Sequence, residues 1–153
     1  MLIRKIFKLN NFCFFMKKRV LGKSLTKWSR HHVRELMRIS LGVVFLWFGL
    51  LKVFDVSPVY DFVVRAYPFF AIPYMFFLLG IFEVIVGICL LLNVLLQQAE
   101  ILILVHLGAT LLLLIFKPYM AFSTFPILTL EGEFLLKNVV LAVGVLYLIA
   151  RQK

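Results

Sequence analysis

Four stretches of the chain are nearly unbroken runs of apolar residues, each about as long as a helix that crosses a membrane. They run from Met37 to Phe54, Pro73 to Leu92, Gln97 to Phe116 and Glu133 to Ala150. A spanning helix needs about 17–25 mainly apolar residues to cross about 30 Å of hydrocarbon. Helix breakers fall between the runs. Pro73 stands at a helix start, where proline is tolerated, Lys117-Pro118 closes the third run, and Gly132 precedes the fourth. Only Asn93 to Leu96 separates the second run from the third, which predicts a tight antiparallel hairpin. The first connection, DVSPVYDFVVRAYPFFAI, holds an amphipathic stretch expected to lie on the bilayer as a short helix. The linker from Pro118 to Leu130, with its aromatics and prolines, is expected to fold back over the bundle mouth. The predicted fold class is all-α, a polytopic membrane protein whose residues 37–150 form a four-transmembrane-helix bundle.

Composition strengthens this picture. Of 153 residues, 63% are hydrophobic and 16% charged, against about 45–50% and about 25% in soluble domains. In water, such a chain exposes more apolar surface than it can bury, so lipid is the fitting solvent. The net charge of +10 adds an orientation. Eleven of the seventeen Lys and Arg residues precede Ile39, from Arg4 to Arg38. No stacking aromatics accompany them in a nucleic-acid pattern, so the block reads as a topology signal and a contact with anionic lipid. Nucleic acid is not an expected partner. With the amino terminus in the cytoplasm, thirteen of seventeen basic residues lie there, Arg151 and Lys153 included. Residues 1–36 are then a basic cytoplasmic arm, and 151–153 a cytoplasmic tail.

The arm opens MLIRKIFKLNNFCFF, which lacks the apolar core and cleavage site of a secretory signal and is expected to remain. Met16, followed by KKR, also has the character of a start. Residues 1–15 therefore read either as an upstream extension or as an interfacial segment with Phe12, Phe14 and Phe15 in lipid. Cys13 and Cys89 form no Cys-x-x-Cys pair and imply no disulfide framework.

The polar residues inside the apolar runs carry the chemistry. Spacings of three and four place residues on one helix face. The first helix then presents Arg38, Gly42, Phe45, Gly49 and Lys52; the second presents Phe76, Gly80, Glu83, Gly87 and Leu90. The third gives Ala99, Ile103, His106, Thr110 and Leu113, and the fourth gives Glu133, Lys137, Val140 and Gly144. Small residues allow close helix approach in lipid and polar ones need partners there, so the four stripes are expected to face one another. Glu83 and His106 fall near the same midplane layer. Lys52 leans inward and Glu83 outward, which brings their heads towards each other. An isolated midplane charge costs about 2.5–3.5 kcal/mol, so Glu83 is expected to pair with Lys52 or His106, or else to stay protonated. Lys52, Glu83, His106 and Thr110 form a candidate ligand or proton site. Glu133 and Lys137, four apart with Glu first, are expected to form a structural ion pair.

Plainer readings stand beside these. The Lys52–Glu83 pair also serves as a clamp fixing helix register, and His106 as a satisfied core histidine. Bis-histidine haem ligation is excluded, because His31 and His32 lie on the arm. Metal-ligand spacing, Gly-rich phosphate loops and nucleophile elbows are missing, so no metal and no catalytic group is assigned.

Three segments together resemble a known family. RISLGVVFLWFGLLKVF, GIFEVIVGICLLLN and LTLEGEFLLKNVVLAVG are similar, in this order, to the DoxX-like group, and within it to bacterial inner-membrane proteins of the YkgB type. The resemblance covers about Arg38 to Ala150. It implies a four-helix protein of the bacterial cytoplasmic membrane, in a family with links to quinone-dependent thiosulfate oxidation and to resistance against reactive chlorine or oxidative stress. The family's lysine in the first motif falls on Lys52, its acid in the second on Glu83, and its last acid and lysine on Glu133 and Lys137. The loop between the first two helices is shorter here than in the YkgB type. The expected function is thus a component of a quinone-linked redox or oxidative-stress-protection system, with quinone as the expected ligand and no bound cofactor otherwise. The contrasting expectation is a non-catalytic scaffold or accessory subunit, alone, as a homo-oligomer or beside a partner subunit.

Overall fold

The computed structural model describes residues 32–151. The expectations for the arm up to residue 31, including a start at Met1 or Met16, fall outside the described residues. Helix α1 spans His32–Val53, beginning ahead of the expected Met37. Arg34, Glu35 and Leu36 are good helix formers with no breaker among them, so the helix continues through them. It stops at Val53, and Asp55, two residues on, has a left-handed φ of 55°.

The amphipathic loop forms α2 (Tyr60–Ala66), with Phe62 and Ala66 buried, followed by a 3-10 turn at Pro68–Ala71. Helix α3 (Pro73–Leu92) starts on its proline as expected and stops at Asn93. Asn93 and Leu95 have positive φ of 62° and 50°, which reverses the chain within three residues. Asparagine tolerates that conformation; leucine takes it at a cost. Helix α4 (Leu96–Leu111) runs on through α5 (Leu113–Phe116) after a break at Leu112, and together they make one span, Leu96–Phe116.

The linker adds a short strand pair to the helical fold. After α6 (Pro118–Ala121), strands β1 (Phe122–Thr124) and β2 (Ile127–Leu128) pair antiparallel. Helix α7 covers Leu130–Ala150, so it begins before Glu133 and takes Gly132 into its first turn. The Thr129 hydroxyl accepts from the Gly132 N–H at 3.0 Å, an N-cap that the sequence reading passed over. Gly132 suits this place because a Cβ would run into the Ala121 carbonyl. The expected spans are otherwise present: α1, α3, α4 with α5, and α7 are long and apolar enough to cross a membrane.

Leu41, Phe45, Val86, Leu90, Ile103, Val145 and Leu148 form the core between these helices. Arg38 is buried too; its guanidinium donates to the Leu90 and Leu91 carbonyls at the end of α3. The stripes on α1 and α3 are buried throughout, and that on α4 is buried or half-buried. The stripe expected on α7 is not. Glu133, Lys137 and Val140 are exposed, and of that set only Gly144 is buried. The inward face is offset, through Leu135, Asn138, Val145 and Leu148. Apolar bulk decides which face of α7 turns inward, because charges near a helix end can reach outward.

Candidate functional site

Glycine spacing sets the first wall of the site. Gly42 and Gly49 on α1 lie against Gly87 and Gly80 on α3, backbone to backbone. A Cβ on Gly49 would sit 2.7 Å from the Gly80 oxygen, and one on Gly80 would sit 2.8 Å from Cβ of Lys52. One on Gly87 would sit 2.9 Å from the Gly42 oxygen. Any larger residue would separate the helices, and with them the side chains they carry.

That approach brings the predicted charges together. Lys52 and Glu83 are 7% and 3% exposed, and Lys52 Nζ donates to Glu83 Oε2 at 2.5 Å. The other carboxylate oxygen, Oε1, lies 3.3 Å from His106 Nε2. Glu83 thus serves Lys52 and His106 at once, where the sequence expected one of them. The imidazole stands near Phe45, edge-on at 6.2 Å between ring centres, and Phe82, at 5.8 Å.

One turn further along α4, the Thr110 hydroxyl donates to the Leu107 carbonyl at 2.8 Å and accepts from Asn138 Nδ2 at 3.0 Å. Asn138, only 4% exposed, is the site residue that the sequence reading missed. Its signal was a lone amide in an apolar helix, three residues past the buried Leu135 and seven before the buried Val145.

Between these groups lies a cavity of about 270 Å³. Lys52, Glu83, His106, Thr110 and Asn138 all belong to its lining, and most of the rest is aliphatic and aromatic carbon. Segment 57–70 covers it, with Phe62, Ala66 and Tyr67 among the lining residues. Three ties hold this cover. Lys117 Nζ donates to the carbonyls of Ala66 at 2.7 Å and Arg65 at 3.3 Å, capping the end of α2. Tyr67 donates its hydroxyl proton to the Ala109 carbonyl at 2.6 Å. Arg65 pairs with Glu131 at 2.7 Å, an exposed contact. Burial raises the pKa of Tyr67 above the ordinary tyrosine value, which keeps its hydroxyl a donor.

The expected Glu133–Lys137 pair does not form; both side chains face outward from α7. Among the described residues, no three His, Cys, Asp or Glu side chains converge as metal ligands. What the site offers is hydrogen bonding. The Lys52 ammonium has three N–H donors, one of them engaged by Glu83, and the Asn138 amide supplies another polar group in the lining. No protein-family profile, curated protein or solved structure matches the chain.

Proposed function

We propose that this chain is a DoxX-like, multi-pass protein of the bacterial inner membrane, with both ends in the cytoplasm and anionic lipid against its basic arm. Its cavity holds the ring of a quinone or a similar lipophilic carbonyl compound, as a component of a quinone-linked redox or oxidative-stress-protection system. The supporting observation is the Lys52–Glu83–His106 array on the wall of a largely apolar cavity of about 270 Å³. An ion pair kept only for packing needs no open volume beside it. Ligand pockets run from about 300 Å³ upward, so this one suits a single ring, with any long tail lying between helices. Lys52 donates to one ring oxygen, and Asn138 lies in the wall for a second contact. The residues bind and orient; electrons come from a partner.

Thermal unfolding of the detergent-purified protein tests this. A short-tailed quinone analogue should raise the midpoint of the wild type, and the rise should vanish in Lys52→Met and Asn138→Leu. No rise in the wild type, together with no lipophilic molecule in an organic extract, would sink the reading. Reporter fusions at both ends should be active only in forms that work in the cytoplasm.

One observation favours the second reading, a non-catalytic scaffold. The ion pair joins the same two helices that the glycines hold closest, as a register clamp would. The double variant Lys52→Met with Glu83→Met separates the two. A clamp alone leaves it stable and functional, whereas a ligand site leaves it stable and unable to bind the analogue.

A further inference from the structure

The outward face of α7 carries two charges that the fold leaves unused. Glu133 and Lys137 are exposed, four residues apart, and paired neither with each other nor with another described residue. Lys137 lies seven residues beyond Leu130, the start of α7, or about 10 Å along the axis at about 1.5 Å per residue. A lone ammonium at that depth in a spanning helix faces hydrocarbon, where charge is kept only with a partner or by reaching back to the interface.

The same face continues as an apolar stripe. Leu136, Val140 and Val143 are 52%, 72% and 59% exposed at spacings of three and four residues. An acid and a base at one end of such a stripe are self-complementary. A second copy, related by a two-fold axis along the membrane normal, sets α7 parallel to α7 with equivalent residues at equal height. Glu133 of each copy then lies one turn from Lys137 of the other, and symmetry makes the contact twice. A different partner would have to supply its own matching pair; a second copy brings one with it.

We propose that this face of α7 is a homodimer interface in which the two copies exchange Glu133–Lys137 ion pairs. The inference rests on α7 crossing a membrane and is independent of any ligand in the cavity.

Disulfide trapping of the full chain in native membranes tests it. With Cys13 and Cys89 replaced by serine, Val140→Cys should cross-link to a dimer under mild oxidation. Val105→Cys, on an exposed position of α4, should remain a monomer. Adding Glu133→Lys or Lys137→Glu alone should cut the dimer roughly tenfold, equivalent to about 1.4 kcal/mol, and combining the two should restore it. A monomeric Val140→Cys in the membrane fraction would overturn the pairing, as would equal trapping at Val105→Cys or a failed restoration by the combined exchange. A cross-link to a different protein would overturn it as well. A chain absent from the membrane fraction would instead overturn the membrane reading beneath it.

Discussion

The two helix pairs around the cavity are joined by different means. Helices α1 and α3 meet through glycine backbones and close on a salt bridge, while α4 and α7 meet through Ile103, Leu107, Val145 and Leu148 with one Thr–Asn hydrogen bond. Backbone contact has no rotamers to yield, so the first seam fixes the position of every side chain on it. Aliphatic contact can repack, so the second seam tolerates change better. The difference sets a rigid seam, bearing the Lys52–Glu83 pair, beside a more forgiving one.

The largest expected effect lies on the rigid seam. Lys52→Met, and separately Glu83→Gln, should destabilise the protein by about 3–5 kcal/mol, because each leaves its buried partner uncompensated. Thermal unfolding of both singles and the double variant gives the coupling between them; strictly additive losses would show that the pair contributes nothing to the seam.

A sharper contrast comes from single methyl groups. Gly87→Ala puts a Cβ 2.6 Å from the Leu46 backbone nitrogen and should cost about 1–3 kcal/mol. Ile103→Val, on the aliphatic seam, should cost about 0.5–1.5 kcal/mol. Equal losses in chemical unfolding would erase the distinction between the seams.

Thr110→Val removes the acceptor of Asn138 while keeping the shape of the side chain. Hydrogen bonds between membrane helices average about 0.6 kcal/mol, and the unfolding midpoint should fall accordingly. A loss as large as that of Lys52→Met would make the second seam as polar in its energetics as the first.

Smallest is the tie from Tyr67 to Ala109. Tyr67→Phe should cost about 0.5 kcal/mol and quicken amide exchange in α2. The folded pKa of Tyr67 is raised, so its contribution is whole below the ordinary tyrosine value near 10 and is lost as pH rises through the folded value. Exchange in α2 that ignores alkaline pH would show that the tie bears no load.

The rigid seam was legible in the sequence. Gly42, Gly49, Gly80 and Gly87 stand out against leucine and phenylalanine, and ionisable residues deep in apolar runs have few places to go. The offset face of α7 was not legible, because Glu133 and Lys137 sit close enough to a helix end to turn outward, whereas the amide of Asn138 is too weakly polar to announce itself. Glu100, 1% exposed, escaped for a similar reason, since its place near the start of α4 suggests an interface. The β1–β2 hairpin lacks a two-residue Asn-Gly or Asp-Gly turn that would have signalled it. Cavity volume depends on how far helices splay, which no single position records.

Lys117 closes the third span and also caps α2, so the two elements are thermodynamically coupled through one ammonium. A ligand that enters by lifting the cover must first release Lys117, leaving the Arg65 and Ala66 carbonyls at the end of α2 to find water. A ligand held beneath the closed cover makes that release rarer, by an amount set only by its concentration relative to its dissociation constant. Occupancy of the cavity is therefore written into the opening rate of α2, a segment that reports on the site while contributing no charge to it.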